Sequence, residues 1–426
     1  MPEPSPNAQG MPRVLLVLPM YGGSLPVGRF AAEGLRENGC LVEVFDAPAF
    51  HPVFCALKEL KVGSERLDAL QNSFLQHVSQ CVTAKAEAFA PDLVLSLAQA
   101  PLSIAALKRL RRAGTRTAMW FVEDFRIFTY WRAFAPYYDL FAVIQKEPFL
   151  DELEALGVRN TLYLPLAALP SLHRPLTLDE RERQEFGAQL SFVGAGYPNR
   201  RKAFAGLRNL GLKIWGTEWE DDPEIAPMLQ QKGERIASED CVRIFNAAAV
   251  NLNLHSSVRA DPPVAPGDFV NPRTFEIAAC GAFQLTDRRE LLPELYGPDE
   301  TATFSDLDEL REKILYYSAH PEERAAFAER ARRRTLAEHT YAARMKRLLE
   351  FAAERLPDFG RREAVVWPDN MPEDLGNAVA ALMRELDLPV SASFADVIAA
   401  VRGRSGVLSD AEAALLFLDE WKKLYT

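Results

Sequence analysis

GDFVNPRTFEIAACGAFQLTD, residues 267–287, bounds a helix and a strand by chemistry that can be read residue by residue. Asn271 is a natural N-cap, because its short amide carbonyl reaches a first-turn N–H. Pro272 fits the first helical position, where a missing N–H costs nothing, and Gly281 fits the left-handed residue just past the end. The spacing predicts a short helix over Pro272–Cys280 that runs into the strand GAFQLTD (281–287). The amide end of such a helix is partly positive, and Arg273 adds a full charge beside it. Glu276 lies one turn on along the same face. An acid there can accept two ribose hydroxyls while the amides and Arg273 hold a diphosphate. A capped helix with a surface Arg–Glu pair fits the same residues equally well.

Working outward, apolar runs alternate with amphipathic ones. LSFVGAG (190–196), GLKIWG (211–216), AAVNLNLH (248–255) and TATFSD (301–306) read as strands, with helices at Arg200–Leu210, Ile236–Asn246 and Asp306–Ala319. The N-terminal half repeats the pattern: RVLLVLP (13–19), CLVEVFDA (40–47), PDLVLSLA (91–98), RTAMWFV (116–122), LFAVIQ (140–145) and TLYLPLA (161–167). Helices are expected at Arg29–Asn38, Leu57–Ala90, 101–114 and Pro148–Leu156. Strands alternating with helices imply βαβ units and parallel sheets covered on both faces. Residues 170–189 turn charged and aperiodic and read as an inter-domain connection. The expected architecture is α/β: two Rossmann-like domains, 12–169 and 188–356, facing across a cleft at the carboxyl ends of their strands, plus a small helical appendage over 357–426. A Pro-rich leader, 1–12, precedes them, and a charged helical stretch over 321–356 reads as a solvated face.

Composition narrows the function. Hydrophobic residues at 48% and charged ones at 25% of 426 residues describe a globular chain long enough for more than one domain. A formal net charge of −10 argues against a nucleic-acid groove as the main business. Five cysteines (Cys40, Cys55, Cys81, Cys241, Cys280), odd in number and without CxxC spacing, favour free thiols in a reducing compartment over disulfides or zinc. The apolar run after Arg13 is short, lacks a cleavage site and reads as a first strand; no run is long enough to span a membrane, so a cytoplasmic protein is expected.

Further candidates stand where strands end. The loop from Gly194 through Gly196 and Asn199 to Arg200 follows one strand and precedes a helix, so its amides and Arg200 can approach a phosphate. GAGYPN has Asn199 where a dinucleotide fingerprint needs its third glycine, a weak match to an oxidoreductase. Trp215 and Gly216 end another strand and either frame a base or belong to the core. His255 ends a third, as a catalytic candidate or a satisfied structural histidine. Gly22 and Gly23 bring backbone close in the first half, and Glu123 and Asp124 follow a buried strand there. Acids so placed can deprotonate an acceptor hydroxyl or steady a positive sugar carbon, and Asp124 can instead cap a turn. The aromatics Phe125, Phe128, Tyr130 and Trp131 stack on an acceptor sugar or pack the core. HExxH, GxSxG and Walker A patterns are absent, and the DLD at Asp306 opens a helix as a cap, so no metal site is expected.

Five segments, FVGAGYPNR (192–200), LKIWGTEWE (212–220), IFNAAAVNLNLH (244–255), RTFEIAACGAFQLTDRREL (273–291) and EHTYAARM (338–345), together resemble the nucleotide-sugar-binding half of GT-B glycosyltransferases, in the spore-maturation-protein-like branch. The resemblance covers Ser191–Arg344. It implies a metal- and cofactor-independent transfer of sugar from a nucleoside diphosphate sugar, UDP-linked by expectation, to a hydroxyl on a glycan or protein. Related retaining enzymes carry an E-x7-E pair, the first acid toward the sugar and the second toward the ribose. Asp268 and Glu276 have that spacing, with Asp in place of the first Glu. Glu276 is then the ribose acid, and Arg200 and Arg273 the diphosphate ligands. The same analogy brings the Gly22–Gly23 loop near donor phosphates or acceptor. Two other readings stand beside it: another enzyme on this scaffold, such as a nucleotide-sugar epimerase or a nicotinamide oxidoreductase, and a non-catalytic scaffold that recruits a protein partner or a second copy through its helical tail.

Overall fold

Short runs of Val, Leu and Ile without polar alternation suit strands covered on both faces, and the chain uses them as such. In the computed structural model, β1 (Arg13–Val17), β2 (Leu41–Phe45), β3 (Leu93–Leu97), β4 (Arg116–Phe121), β5 (Leu140–Val143) and β6 (Thr161–Tyr163) form one sheet in the order β2-β1-β3-β4-β5-β6. Every residue of β1 and β3 is buried. A second sheet contains β7 (Ala188–Val193), β8 (Leu212–Trp215), β9 (Ala248–Asn253), β10 (Gln284–Asp287) and β11 (Ala302–Phe304) in the order β11-β10-β9-β7-β8. From β2 through β5 in the first sheet, and throughout the second, neighbouring strands run parallel. In each sheet the order turns back beside its first strand, so each has a switch point, between β1 and β3 and between β7 and β9. Open α/β sheets bind ligands outside the carboxyl ends at such a point. The structure describes residues 11–219, 222–357, 359–360, 372–389, 392–404 and 406–423; most of the expected leader and of the break after Pro357 lie outside them.

Local differences from expectation have local causes. The first helix begins at Ser24 and runs to Glu37, because Pro26 sits in its first turn, where proline is tolerated. Gly28 lies within it against Leu18, where an added Cβ would come to 2.4 Å. The expected connection over 170–189 contains a helix, Glu180–Phe186, with a full capping box from Asp179 and Glu182.

The chain divides into two compact units: Met1–Val143, Pro148–Leu162 and Met345–Thr426 in one, Ile144–Glu147 and Tyr163–Arg344 in the other. The helical appendage expected at the C-terminus is present and groups with the first unit. Its helices Glu373–Glu385, Phe394–Gly403 and Asp410–Lys423 gather Val379, Leu382, Val397, Ile398 and Leu415 into a core, with Met11 and Leu41 packed against it. The physical reason is a buried charge. Arg13 opens β1 at 4% exposure and is held by Asp396 at 2.8 Å. A guanidinium buried at a strand start requires such a partner.

Candidate functional site

In the first unit the polar residues converge at the carboxyl ends of β1, β3 and β4. Gly22 takes a left-handed φ of 102°, and Ser24, the first residue of the helix it precedes, is 5% exposed. Glu123 follows β4. Its Oε1 accepts the Gln99 amide Nε2 at 2.7 Å. Its Oε2 is buried and faces the buried Ser24 hydroxyl without closing a hydrogen bond. Burial pushes the carboxyl above the ordinary glutamate pKa, and Gln99 and Ser24 offset only part of that. The result is a carboxyl with one tethered oxygen and one buried without a hydrogen-bond partner. Asp124 differs. Its Oδ1 accepts the Arg126 N–H at 2.9 Å and its carbonyl accepts from Ile127 and Phe128, so it shapes the turn after β4. Phe125 and Trp131 are buried and pack with Phe149, Phe125 stacking on it at 4.5 Å, so both belong to the core. Phe128 packs against the same core, and Tyr130 turns its hydroxyl to the Gln99 N–H.

In the second unit the expected site residues are brought together at β7, β9 and the 272–279 helix, but most are spent on one another. The Gly194 N–H donates to Trp215 O and the Gly196 N–H to Thr217 O, both at 2.9 Å, so neither amide is open to a phosphate. The glycines serve close approach instead: a Cβ on Gly196 would lie 2.0 Å from Glu218 O, and one on Gly216, at φ 125°, 2.4 Å from Gly194 O. Trp215 is 1% exposed and packs in the core. Asn199, fully buried, donates to His255 O and Pro263 O and accepts the Ser257 N–H, pinning the loop after β9.

His255 is 2% exposed and has both ring nitrogens engaged. Nε2 accepts the Asn271 N–H at 2.9 Å, so Nδ1 carries the proton and donates to Asp287 at 2.7 Å. Burial lowers its pKa against the pull of Asp287, so the ring stays neutral. Such a ring has no proton to exchange with a substrate; it is a clamp on the start of the 272–279 helix. Asp287, held below the ordinary range by His255 and Arg289 despite burial, completes the clamp.

The amide end of that helix is correspondingly less open than expected. Asn271 donates its N–H to His255, Pro272 has none, and the Thr274 N–H turns back to the Asn271 cap. Glu276, expected either at a cleft or in a surface pair with Arg273, is 3% exposed and paired with Arg273 one turn before it. Asp268 is 5% exposed; its Oδ1 accepts from Gln145 Nε2 at 2.8 Å and from the Phe269 N–H. Arg200 stands apart. Its guanidinium donates to Leu254 O and Ala195 O and lies over the Phe192 ring, but among the described residues no carboxylate pairs with it. Burial lowers its pKa to about 10, which leaves it charged at neutral pH. Arg273 keeps a side chain 32% exposed. Asp306 caps the helix after β11 through the Asp308 and Glu309 N–H groups, as expected.

Residues 193–350 match the family model described as glycosyl transferase-like. A curated relative, the spore protein CgeB of Bacillus subtilis (strain 168), is 24% identical over 261 residues, 56% of this chain and 76% of that protein. Among solved structures, Anabaena HepE in complex with UDP and glucose superposes with a TM-score of 0.56 at 14% identity, over 81% of this chain and 100% of that one. Sucrose-phosphate synthase from Thermosynechococcus elongatus does so at 0.53 and 13%, over 81% and 98%. With its two parallel sheets, the chain has the GT-B fold, and its residues 193–350 are similar to glycosyltransferases. The similarity to the spore protein agrees with the branch that the sequence segments resemble. No helix among the described residues is long and apolar enough to cross a membrane.

Proposed function

We propose that this glycosyltransferase moves a sugar from a UDP-linked donor to a hydroxyl on a glycan or protein acceptor, without a divalent metal. The observation that carries the reading is Arg200: a half-buried cation with no carboxylate partner among the described residues, at the carboxyl ends of β7 and β9. Desolvated cations of this kind offset the charge that gathers on a departing diphosphate. Arg273 would share that task, and Glu276, released from Arg273, would take the ribose hydroxyls. HepE, a structural neighbour, was solved with UDP-glucose and with UDP and glucose. As the acceptor oxygen bonds to the anomeric carbon and the sugar–diphosphate bond breaks, a proton leaves the acceptor hydroxyl. Glu123 is our candidate to take it, since burial makes it a stronger base than an exposed carboxylate. The cytoplasm is the proposed compartment, in keeping with five free cysteines.

The test is a panel of nucleotide sugars scored by nucleoside diphosphate release, with and without acceptor extract, in EDTA. Release of UDP that rises with acceptor is expected. Isomerised sugar without acceptor would instead mean an epimerase, and a folded protein that binds no nucleotide a scaffold. Loss of activity in EDTA, restored by manganese, would overturn metal independence.

A further inference from the structure

Gln99 sits two residues beyond β3 and is not a residue that the strand pattern singles out. Its φ is 64°, a left-handed conformation that glycine adopts freely and L side chains rarely do. Residues held this way persist where their surroundings fix them, and two hydrogen bonds hold Gln99. Its N–H donates to Tyr130 Oη at 2.9 Å. Its side-chain Nε2 donates to Glu123 Oε1 at 2.7 Å. Its Oε1 faces Gly22, where an added Cβ would lie 3.7 Å away. The strained backbone thus aims one amide at a carboxyl whose other oxygen has no hydrogen-bond partner among the described residues.

We infer that Gln99 is a positioning residue for Glu123, tying down Oε1 so that proton exchange with the acceptor is confined to Oε2. The inference rests on the reading of Glu123 as the proton acceptor. In the transfer step the acceptor O–H bond breaks, its proton passes to Oε2, the new sugar–oxygen bond forms and the electron pair of the old bond leaves on the diphosphate. An untethered carboxyl would rotate and present either oxygen; the Gln99 amide removes that freedom. The groups facing Glu123 are Gln99, Ser24 and Tyr130. Burial raises the Tyr130 hydroxyl well above the ordinary tyrosine value, so it stays neutral. Among the described residues no charged side chain pairs with Glu123. Gln99 therefore also stabilises the ionised carboxyl, and its loss must move the protonation of Glu123 upward.

Two variants separate positioning from folding. Gln99→Leu keeps the bulk and the strain and removes the amide. Gln99→Gly removes the amide and relieves the strain, so it should fold at least as well as the parent. Infrared titration of the carboxyl band that Glu123→Gln deletes reads the protonation midpoint whether or not turnover is found. A rise on the order of one pH unit in Gln99→Gly is expected. The kcat/KM profile should shift by the same amount, kcat should fall about tenfold or more, and the UDP dissociation constant should stay within about twofold. An unchanged midpoint in folded Gln99→Gly overturns the inference. A shifted midpoint with no turnover on any nucleotide sugar means that Gln99 holds Glu123 while the proposed transfer reaction is wrong.

Discussion

The two switch points hold similar residue types and use them differently. At β7 and β9 the polar groups close on one another: Asn199, His255, Asp287, Asp268 and Glu276 all have partners within the unit. What is left over there is charge, on Arg200 and the exposed part of Arg273. At β1 and β3 what is left over is an oxygen, Glu123 Oε2, with the Ser24 hydroxyl beside it. A rigid network that presents cations suits the holding of an anion, whereas a buried carboxyl with an unpartnered oxygen suits the passing of a proton. A polar residue at a strand end is therefore a weak guide by itself; its unspent hydrogen bonds decide what it can do.

Breaking the first unit's half of this comparison should have the largest effect. Glu123→Gln keeps the shape and the Gln99 contact region but cannot take a proton, and turnover should fall by roughly 10²–10⁴-fold, the range for a general base. UDP release under saturating donor measures it.

Acid sharpens the contrast next, because the second unit buries three neutral histidines. His173 accepts the Leu169 N–H, His255 the Asn271 N–H and His339 an Arg344 N–H, so protonation of any of them breaks a bond. Burial lowers all three pKa values, that of His339 to about 4 from 6.5. The unfolded chain then binds more protons than the folded one below pH 6.5, and stability falls as the pH drops from there toward 4. His339 alone accounts for on the order of 3 kcal/mol by pH 4. Hydrogen exchange between pH 7 and pH 4 should show the second unit opening before the first.

Arg200→Met probes the cation left over in the second unit. It should weaken UDP binding by roughly 1.5–3 kcal/mol, the range for a charged hydrogen bond, without unfolding the chain. The smallest effect belongs to Asp124→Asn. Asparagine still accepts the Arg126 N–H, so turnover should change by less than about threefold. A loss comparable with that of Glu123→Gln would return the proton-transfer role to Asp124.

Much of this was legible in the residues. Uniformly apolar strands, the Asn271–Pro272 cap, the two parallel sheets and the branch resemblance all rest on short-range chemistry that a sequence displays. The sequence also places its candidate residues at strand ends, and the structure puts Glu123 and His255 just after β4 and β9. It could not show partners that meet only in the fold. Asp287 lies 32 residues from His255, Gln145 lies 123 from Asp268, and Asp396 lies 383 from Arg13. Each of those pairings ties a candidate residue or the helical appendage to a distant part of the chain. Gln99 was missed for a related reason: its place after a strand is readable, but its left-handed backbone and its aim at Glu123 follow from Gly22, Tyr130 and Glu123 together. The helix over Glu180–Phe186 was readable from Asp179 and Glu182, yet its charge density resembles that of a linker.

The division of labour is tested most directly by titrating UDP into Glu123→Gln and Arg200→Met side by side in a calorimeter. The account predicts a UDP dissociation constant for Glu123→Gln within about twofold of the parent and one for Arg200→Met raised roughly tenfold or more. Equal weakening in both, or unchanged affinity in a folded Arg200→Met, would contradict it.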